Sequence, residues 1–205
     1  MECSFCIEFA QAGSGDRIII RDADWVLLPT LGCFAAGYCL FMPLDHLDAV
    51  ADLSIRRKGR VAEAVERMRA TIAKVYGPVI VAEHGPRGCE LGAGCCSHAH
   101  LHLIPVPDPD AVTAAYQAVG GAGTTLPGLD ALPAAMDGPY LYVSPRRGEH
   151  YLWPATGFHR QFVRRVCATL YGLDRHYDWR DHPFTGLQQA TLQRLRPVFA
   201  GLDAA

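Results

Sequence analysis

His98-Ala-His100-Leu-His102-Leu-Ile104-Pro105 sets three imidazoles at alternate positions of a run that ends on a proline. Successive side chains of a strand point to opposite faces, so this spacing predicts a strand over 98–104 with its histidines on one face, about 6 to 7 Å apart in steps. Ala99, Leu101 and Leu103 then face a core. Imidazole titrates near neutrality, can attack phosphorus and can carry the phosphoryl group briefly before releasing it. In such a row one ring can attack while a neighbour donates a hydrogen bond to a non-bridging oxygen. The competing reading is a polar strand edge.

Outward from that run, the chain reads as alternating strands and helices. Arg17 to Leu28 forms two β runs around a polar Asp22-Ala-Asp24 turn, and Gly37 to Met42 forms a third run ending at Pro43. From Ser54, a plausible N-cap, to Tyr76 the apolar residues Val61, Val65, Met68, Ile72 and Val75 recur at helical steps, and Gly77-Pro78 closes the helix. Val79 to Ala82 is a short strand, followed by a glycine-rich loop from His84 to Gly94. Residues 106–137, rich in proline, glycine and alanine, read as a short helix or two with a loop. Tyr140–Val143 and Tyr151–Trp153 look like a strand pair, and helices follow near Phe158–Tyr171 and Thr185–Leu195. Neighbouring strands in this order can pair antiparallel through short loops. The expected organisation is a core over 1–110, a connection over 111–137 and an extension over 138–205 packed on the core.

A second chemical signal is Cys3-x2-Cys6, a spacing that lets two thiolates grip one zinc ion from a tight turn. A structural zinc wants four ligands in a tetrahedron, and His46 with His98 would complete a Cys2His2 set; the competing reading is a pair of idle thiols. Eight cysteines in 205 residues could instead suggest disulfides, but a chain of this length does not need them and shows no export signal, so reduced thiols and a cytoplasmic address are expected. Cys33, Cys39 and Cys167 lie in apolar surroundings and read as core. The formal charge of −2, with no long basic tract, disfavours nucleic-acid polymers as partners. No apolar run approaches the roughly 20 residues that cross a bilayer.

Together, the Cys-x2-Cys knuckle, the Gly37–His46 segment with its Pro-x-x-His ending, and the His-x-His-x-His strand resemble the histidine triad (HIT) family, over roughly residues 3–105 and in the manner of its zinc-binding bacterial branch. The resemblance implies an α+β, HIT-like fold, an antiparallel sheet of about five strands with packed helices plus a C-terminal strand and helix extension, commonly a homodimer, acting as a nucleotide hydrolase or nucleotidyl transferase on a small-molecule nucleotide or phosphate ester. Carried over by position, His100 would be the nucleophile, His102 would contact the phosphate under attack, and His98 would be bound to a structural zinc.

The chain departs from that pattern in three places. Where many relatives carry Gly-Gln-Ser or Gly-Gln-Thr, it reads Gly92-Ala-Gly94-Cys95-Cys96-Ser97, leaving Gly94, Cys96 and Ser97 as candidate phosphate contacts. The acidic residue that often binds ribose falls at Thr30, which cannot accept two hydroxyl hydrogen bonds as a carboxylate does. Glu83-His84 stands where relatives often have an asparagine, as an acid–base pair near the substrate or as a surface loop. In the extension, Gln161, Arg164 and Arg165 share one helical face and could reach further phosphates, or form a solvated face. Asp178-Trp179-Arg180 is either a packing corner or a closure of the pocket. Two alternatives remain open: a catalytically weak nucleotide-binding or regulatory module, and a redox role for Cys95 and Cys96.

Overall fold

The β-branched and aromatic runs of the first half do form strands, and the arginine-rich amphipathic stretch forms a helix. The structure, a computed structural model, describes residues 3–11, 17–85, 98–132 and 138–201. It begins with helix α1 (Ser4–Ala10), then β1 (Ile20–Arg21), β2 (Trp25–Pro29) and β3 (Cys39–Pro43). Helix α2 (Ile55–Tyr76) leads into β4 (Val79–Gly85) and β5 (Leu101–Pro105). Helix α3 (Pro109–Gly120), β6 (Thr124–Thr125), β7 (Tyr140–Ser144), β8 (Tyr151–Pro154), α4 (Phe162–Leu170) and α5 (Thr185–Ala200) complete the order.

All eight strands belong to one antiparallel sheet in the order β1-β2-β3-β5-β4-β7-β8-β6. The α+β class is as expected, but the strand count of about five is corrected to eight among the described residues. The five strands of the first half are contiguous. The strand pair of the extension then continues the same sheet, because β7 pairs along the free edge of β4 and satisfies its exposed N–H and C=O groups. The triad strand is corrected too: β5 begins at Leu101, so His98 and His100 precede the regular pairing.

One face of the sheet packs on α2 and α5. Val61, Val65, Met68 and Ile72 of α2 meet Leu27, Phe41, Val81, Leu101 and Leu103 there, together with Leu195 and Phe199 of α5. Each large apolar side chain so buried stabilises the fold by roughly 1.5–3 kcal/mol. Ser54 occupies the N-cap of α2 but its side chain makes no capping bond, and Gly77 ends the helix at φ +86°. The opposite face carries Val26, Leu28, Leu40, Ile80 and Ala82, covered by residues of α1, α3 and α4 such as Phe9, Val112, Tyr116, Val163 and Cys167. Cys33, Cys39 and Cys167 are fully buried, as read from their surroundings. Among the described residues no helix is long and apolar enough to cross a membrane.

Candidate functional site

Cys3 is the N-cap of α1, and Cys6 follows one helical turn later. The knuckle is therefore the first turn of a helix, not the tight turn expected, and the three-residue step brings both thiols to one side. His98 Nδ1 lies 3.6 Å from each of Cys3 Sγ and Cys6 Sγ, while His46 Nδ1 lies 3.4 Å from Cys6 Sγ. All four donor atoms fall within 4.8 Å of one another. Bond lengths of about 2.3 Å to sulfur and 2.0–2.1 Å to nitrogen make a tetrahedral S···N edge of about 3.6 Å, so the donor set fits zinc in both chemistry and spacing. His98 is fully buried, and its Nε2 lies 2.8 Å from the Pro43 carbonyl. A carbonyl only accepts, so Nε2 carries the proton and Nδ1 keeps its lone pair toward the thiols.

The next histidine is oriented by the first. His100 Nδ1 lies 2.8 Å from the His98 carbonyl, which it can meet only as a donor, leaving Nε2 unprotonated. Burial pushes the His100 imidazole down to about 4, against the His98 carbonyl, which favours the charged form. The ring is thus neutral at pH 7. His102 sits with its ring centroid 4.7 Å away, nearly perpendicular, between Leu40 of β3 and Ala82 of β4. Its Nδ1 lies 2.7 Å from the Tyr38 hydroxyl. Burial, and then the His100 and Arg164 charges, hold His102 well below the usual imidazole range.

Both rings open into a cavity of about 500 Å³ on the face away from α2. Its apolar wall is Phe5, Leu31, Leu40, Tyr116, Leu141, Phe162 and Val163, and its polar groups include Arg17, Thr30, His84, Arg160, Gln161, Arg164 and Arg180. Helix α1 is latched over one side: Arg17 pairs with both carboxylate oxygens of Glu8 at 2.7 Å and donates to the Pro29 carbonyl. The antiparallel register that pairs Ala82 with His102 carries His84 alongside His100. Burial, then Arg160, lowers the His84 titration.

The sequence-predicted residues are brought together unevenly. His100, His102, His84, Gln161 and Arg164 all line the cavity, and Cys3, Cys6, His46 and His98 come together as a four-donor cluster that could hold a metal ion. Gln161 is the N-cap of α4 in a left-handed conformation (φ +55°), and its buried Oε1 has no hydrogen-bond partner among the described residues. Two readings need correction. Glu83 borders the cavity, but its carboxylate accepts the Val50 N–H at 2.7 Å and the Tyr140 hydroxyl at 2.6 Å, so it anchors a turn and is not offered to His100 as a base. Arg165 does not line the cavity: its guanidinium lies over the Tyr177 ring and bonds the Tyr177 hydroxyl on an exposed face. Of the Asp178-Trp179-Arg180 cluster, Trp179 and Arg180 line the cavity. Gly94, Cys96 and Ser97, with Cys95, lie outside the described residues.

Tyr38, Arg17, Arg160 and the α1 wall were missed. Tyr38 lies two residues before Leu40, the β3 partner of His102, and only the strand register makes that visible.

No protein-family model matches the chain, and no curated protein is significantly similar to it. Solved structures similar to part of it include a hypothetical histidine triad nucleotide-binding protein from Sulfolobus tokodaii. That match has 18% identity, covers 50% of this chain and 68% of that one, and has a TM-score of 0.42. A zinc-bound histidine triad family protein from Mycobacterium smegmatis matches at 20% identity over 51% of this chain and 75% of its own, with a TM-score of 0.42. A HIT family hydrolase from Clostridium thermocellum matches at 19% identity over 52% and 92%, with a TM-score of 0.39.

Proposed function

We propose that this chain is a nucleotide-directed phosphoester or phosphoanhydride hydrolase, or a nucleotidyl transferase, acting through a covalent nucleotidyl intermediate on His100. The observation that carries the reading is the pairing of His100 Nδ1 with the His98 carbonyl, which turns an unprotonated Nε2 to a cavity rich in arginine.

In the first step the Nε2 lone pair forms a bond to phosphorus as the bond to the leaving-group oxygen breaks and that oxygen departs with the electron pair. His102 Nε2–H donates to a non-bridging oxygen, where negative charge must be held. In the second step water or a phosphate-bearing acceptor attacks phosphorus, the P–N bond breaks, and the electron pair returns to His100. Arginines around the cavity favour an anionic substrate, and the apolar wall of Phe5, Leu141 and Phe162 suits a flat base.

Zinc held by Cys3, Cys6, His46 and His98 would be structural. Four protein ligands complete a tetrahedron and leave no open position for Lewis-acid chemistry, so it would act as a cross-link between α1 and the backbone that orients His100.

The test is rapid-quench mass spectrometry during turnover of dinucleoside polyphosphates, nucleoside phosphoramidates and nucleotide sugars. A nucleotidyl mass on the peptide bearing His100 is expected. His100→Ala should lose the adduct and on the order of 10⁴-fold or more in turnover, and full turnover by that variant would defeat the proposal.

A further inference from the structure

Arg164 stands at the wall of the cavity, yet its donors are turned behind it. Nη2 reaches the Gly32 carbonyl at 2.6 Å, Nε reaches the Tyr177 carbonyl at 2.7 Å, and Nη1 reaches the Tyr38 hydroxyl at 3.2 Å. The guanidinium lies over the rings of Phe34 and Tyr38, at 5.2 and 5.3 Å from their centroids. It is 4% exposed, and Tyr38 is fully buried. Tyr38 in turn meets His102 Nδ1 at 2.7 Å.

The protons along this line have one consistent arrangement. A guanidinium only donates, so the Tyr38 oxygen accepts from Arg164. The Tyr38 proton then needs an acceptor, and His102 Nδ1 is at hydrogen-bonding distance. If His102 instead donated from Nδ1, the buried hydroxyl proton would lose that acceptor, a penalty that disfavours the alternative by roughly tenfold or more. Nδ1 therefore keeps its lone pair, and the imidazole proton lies on Nε2, the nitrogen left for the cavity.

We infer that Arg164 and Tyr38 are positioning residues that fix His102 as an Nε2–H donor, an inference that rests on the role given to His102 under Proposed function. Neither residue touches the reacting phosphorus. They act through His102, which with its proton on Nδ1 would present a lone pair to an anionic oxygen and repel it. Arg164 belongs to the region after residue 138, so the extension sets the hydrogen-bond polarity of a histidine in the first half of the chain. This gives the extension a chemical purpose beyond continuing the sheet.

The experiment is long-range ¹H–¹⁵N correlation on the zinc-loaded full chain with ¹⁵N-labelled histidine, in the absence of substrate. The wild-type chain should show His102 as a single Nε2–H tautomer. Tyr38→Phe, which keeps the ring and its packing, should spread the proton over both nitrogens, and Arg164→Met should do the same by freeing Tyr38 to accept. The rate of His100 adduct formation should fall in proportion to the lost Nε2–H fraction, with zinc content and the His100 Nδ1–H signal unchanged. A wild-type His102 protonated on Nδ1, or a Tyr38→Phe chain that retains the pure Nε2–H form, overturns the inference. Because the tautomer is read without substrate, a correct tautomer with no adduct counts against the proposed function alone.

Discussion

Removing the zinc proposed at Cys3, Cys6, His46 and His98 should cost this chain both stability and the shape of its cavity, and Cys6→Ser is the cleanest way to do it. Cys6 contributes one of four ligand atoms, lies 3.6 Å from His98 Nδ1 and 3.4 Å from His46 Nδ1, and sits on a helix of only seven residues. So short a helix has little stability of its own. It is held by Phe9, which is 5% exposed, by the Glu8–Arg17 pair, and by the contacts of Cys3 and Cys6 with His46 and His98. With free zinc buffered at about one hundred times its dissociation constant, the bound ion adds about 2.7 kcal/mol to folding. For a chain of 205 residues, each kcal/mol moves the melting temperature by about 2–4 °C, so loss of zinc should lower it by about 5–11 °C. Scanning calorimetry on the wild-type chain with and without a chelator, beside Cys6→Ser, measures this directly. Because Ser4, Phe5 and Glu8 of α1 wall the cavity, KM should rise in the same samples, and thiol titration should find Cys3 and Cys6 newly reactive after chelation. An unchanged melting temperature, or exposure of Cys95 and Cys96 in place of Cys3 and Cys6, would refute the ligand assignment.

Three further outcomes are expected. Gly32 has φ +66°, and a Cβ there would meet Trp179 Cβ at 2.5 Å and Arg164 Nη2 at 2.6 Å; Gly32→Ala should destabilise the fold by about 1–3 kcal/mol in urea denaturation while raising KM. Arg165→Ala should leave stability within about 0.5 kcal/mol and kcat/KM unchanged, since that side chain lies on an exposed face over Tyr177; a tenfold loss of kcat/KM would restore it to the phosphate site. His84 and His150 are both lowered, first by burial and then by Arg160 and Arg69 respectively. Their neutral forms are favoured in the folded state, so their contribution is complete above the unfolded imidazole value of about 6.5 and is lost as pH falls from there to the folded values. Replacing either with Gln should flatten stability against pH below about 6.5, and an unaltered slope in the double variant would reject the assignment.

Patterns that repeat within a few residues were legible in the sequence, and pairings across the fold were not. The helix of residues 55–76 follows from the spacing of its apolar residues, and the metal cluster follows from the chemistry of two thiols and two imidazoles. The Cys-x2-Cys step is compatible with a turn and with a helix, and only the packing of Phe9 against the sheet and His98 decides for the helix. Asp108-Pro109 was a readable helix start, since the Asp108 side chain accepts from the N–H groups of Asp110 and Ala111 and proline stands at the first helical position. Arg164 and Arg165 show the limit of periodicity: it groups neighbouring residues onto a face but does not say which of two adjacent arginines points inward. One step of about 100° separates a buried guanidinium beneath His102 from one lying over Tyr177. The triad strand begins late because His98 is drawn to Pro43 and the thiols, a tertiary demand that alternation cannot express.

Three chemically identical side chains within five residues are held in three different ways, and the difference lies in what each meets behind it. A carbonyl from Pro43 holds the proton of His98 on Nε2 and leaves the Nδ1 lone pair facing the two thiols. The carbonyl of His98 holds the proton of His100 on Nδ1 and leaves Nε2 a lone pair. For His102 the partner is a hydroxyl, which can donate or accept, and so its direction must be imposed from a further residue, Arg164. A carbonyl is an acceptor by nature, so the first two assignments come with the local backbone and need only the fold of the first half. The third requires a cation carried in by α4. It follows that a chain truncated after β5 could keep the first two proton assignments and would still lack the third.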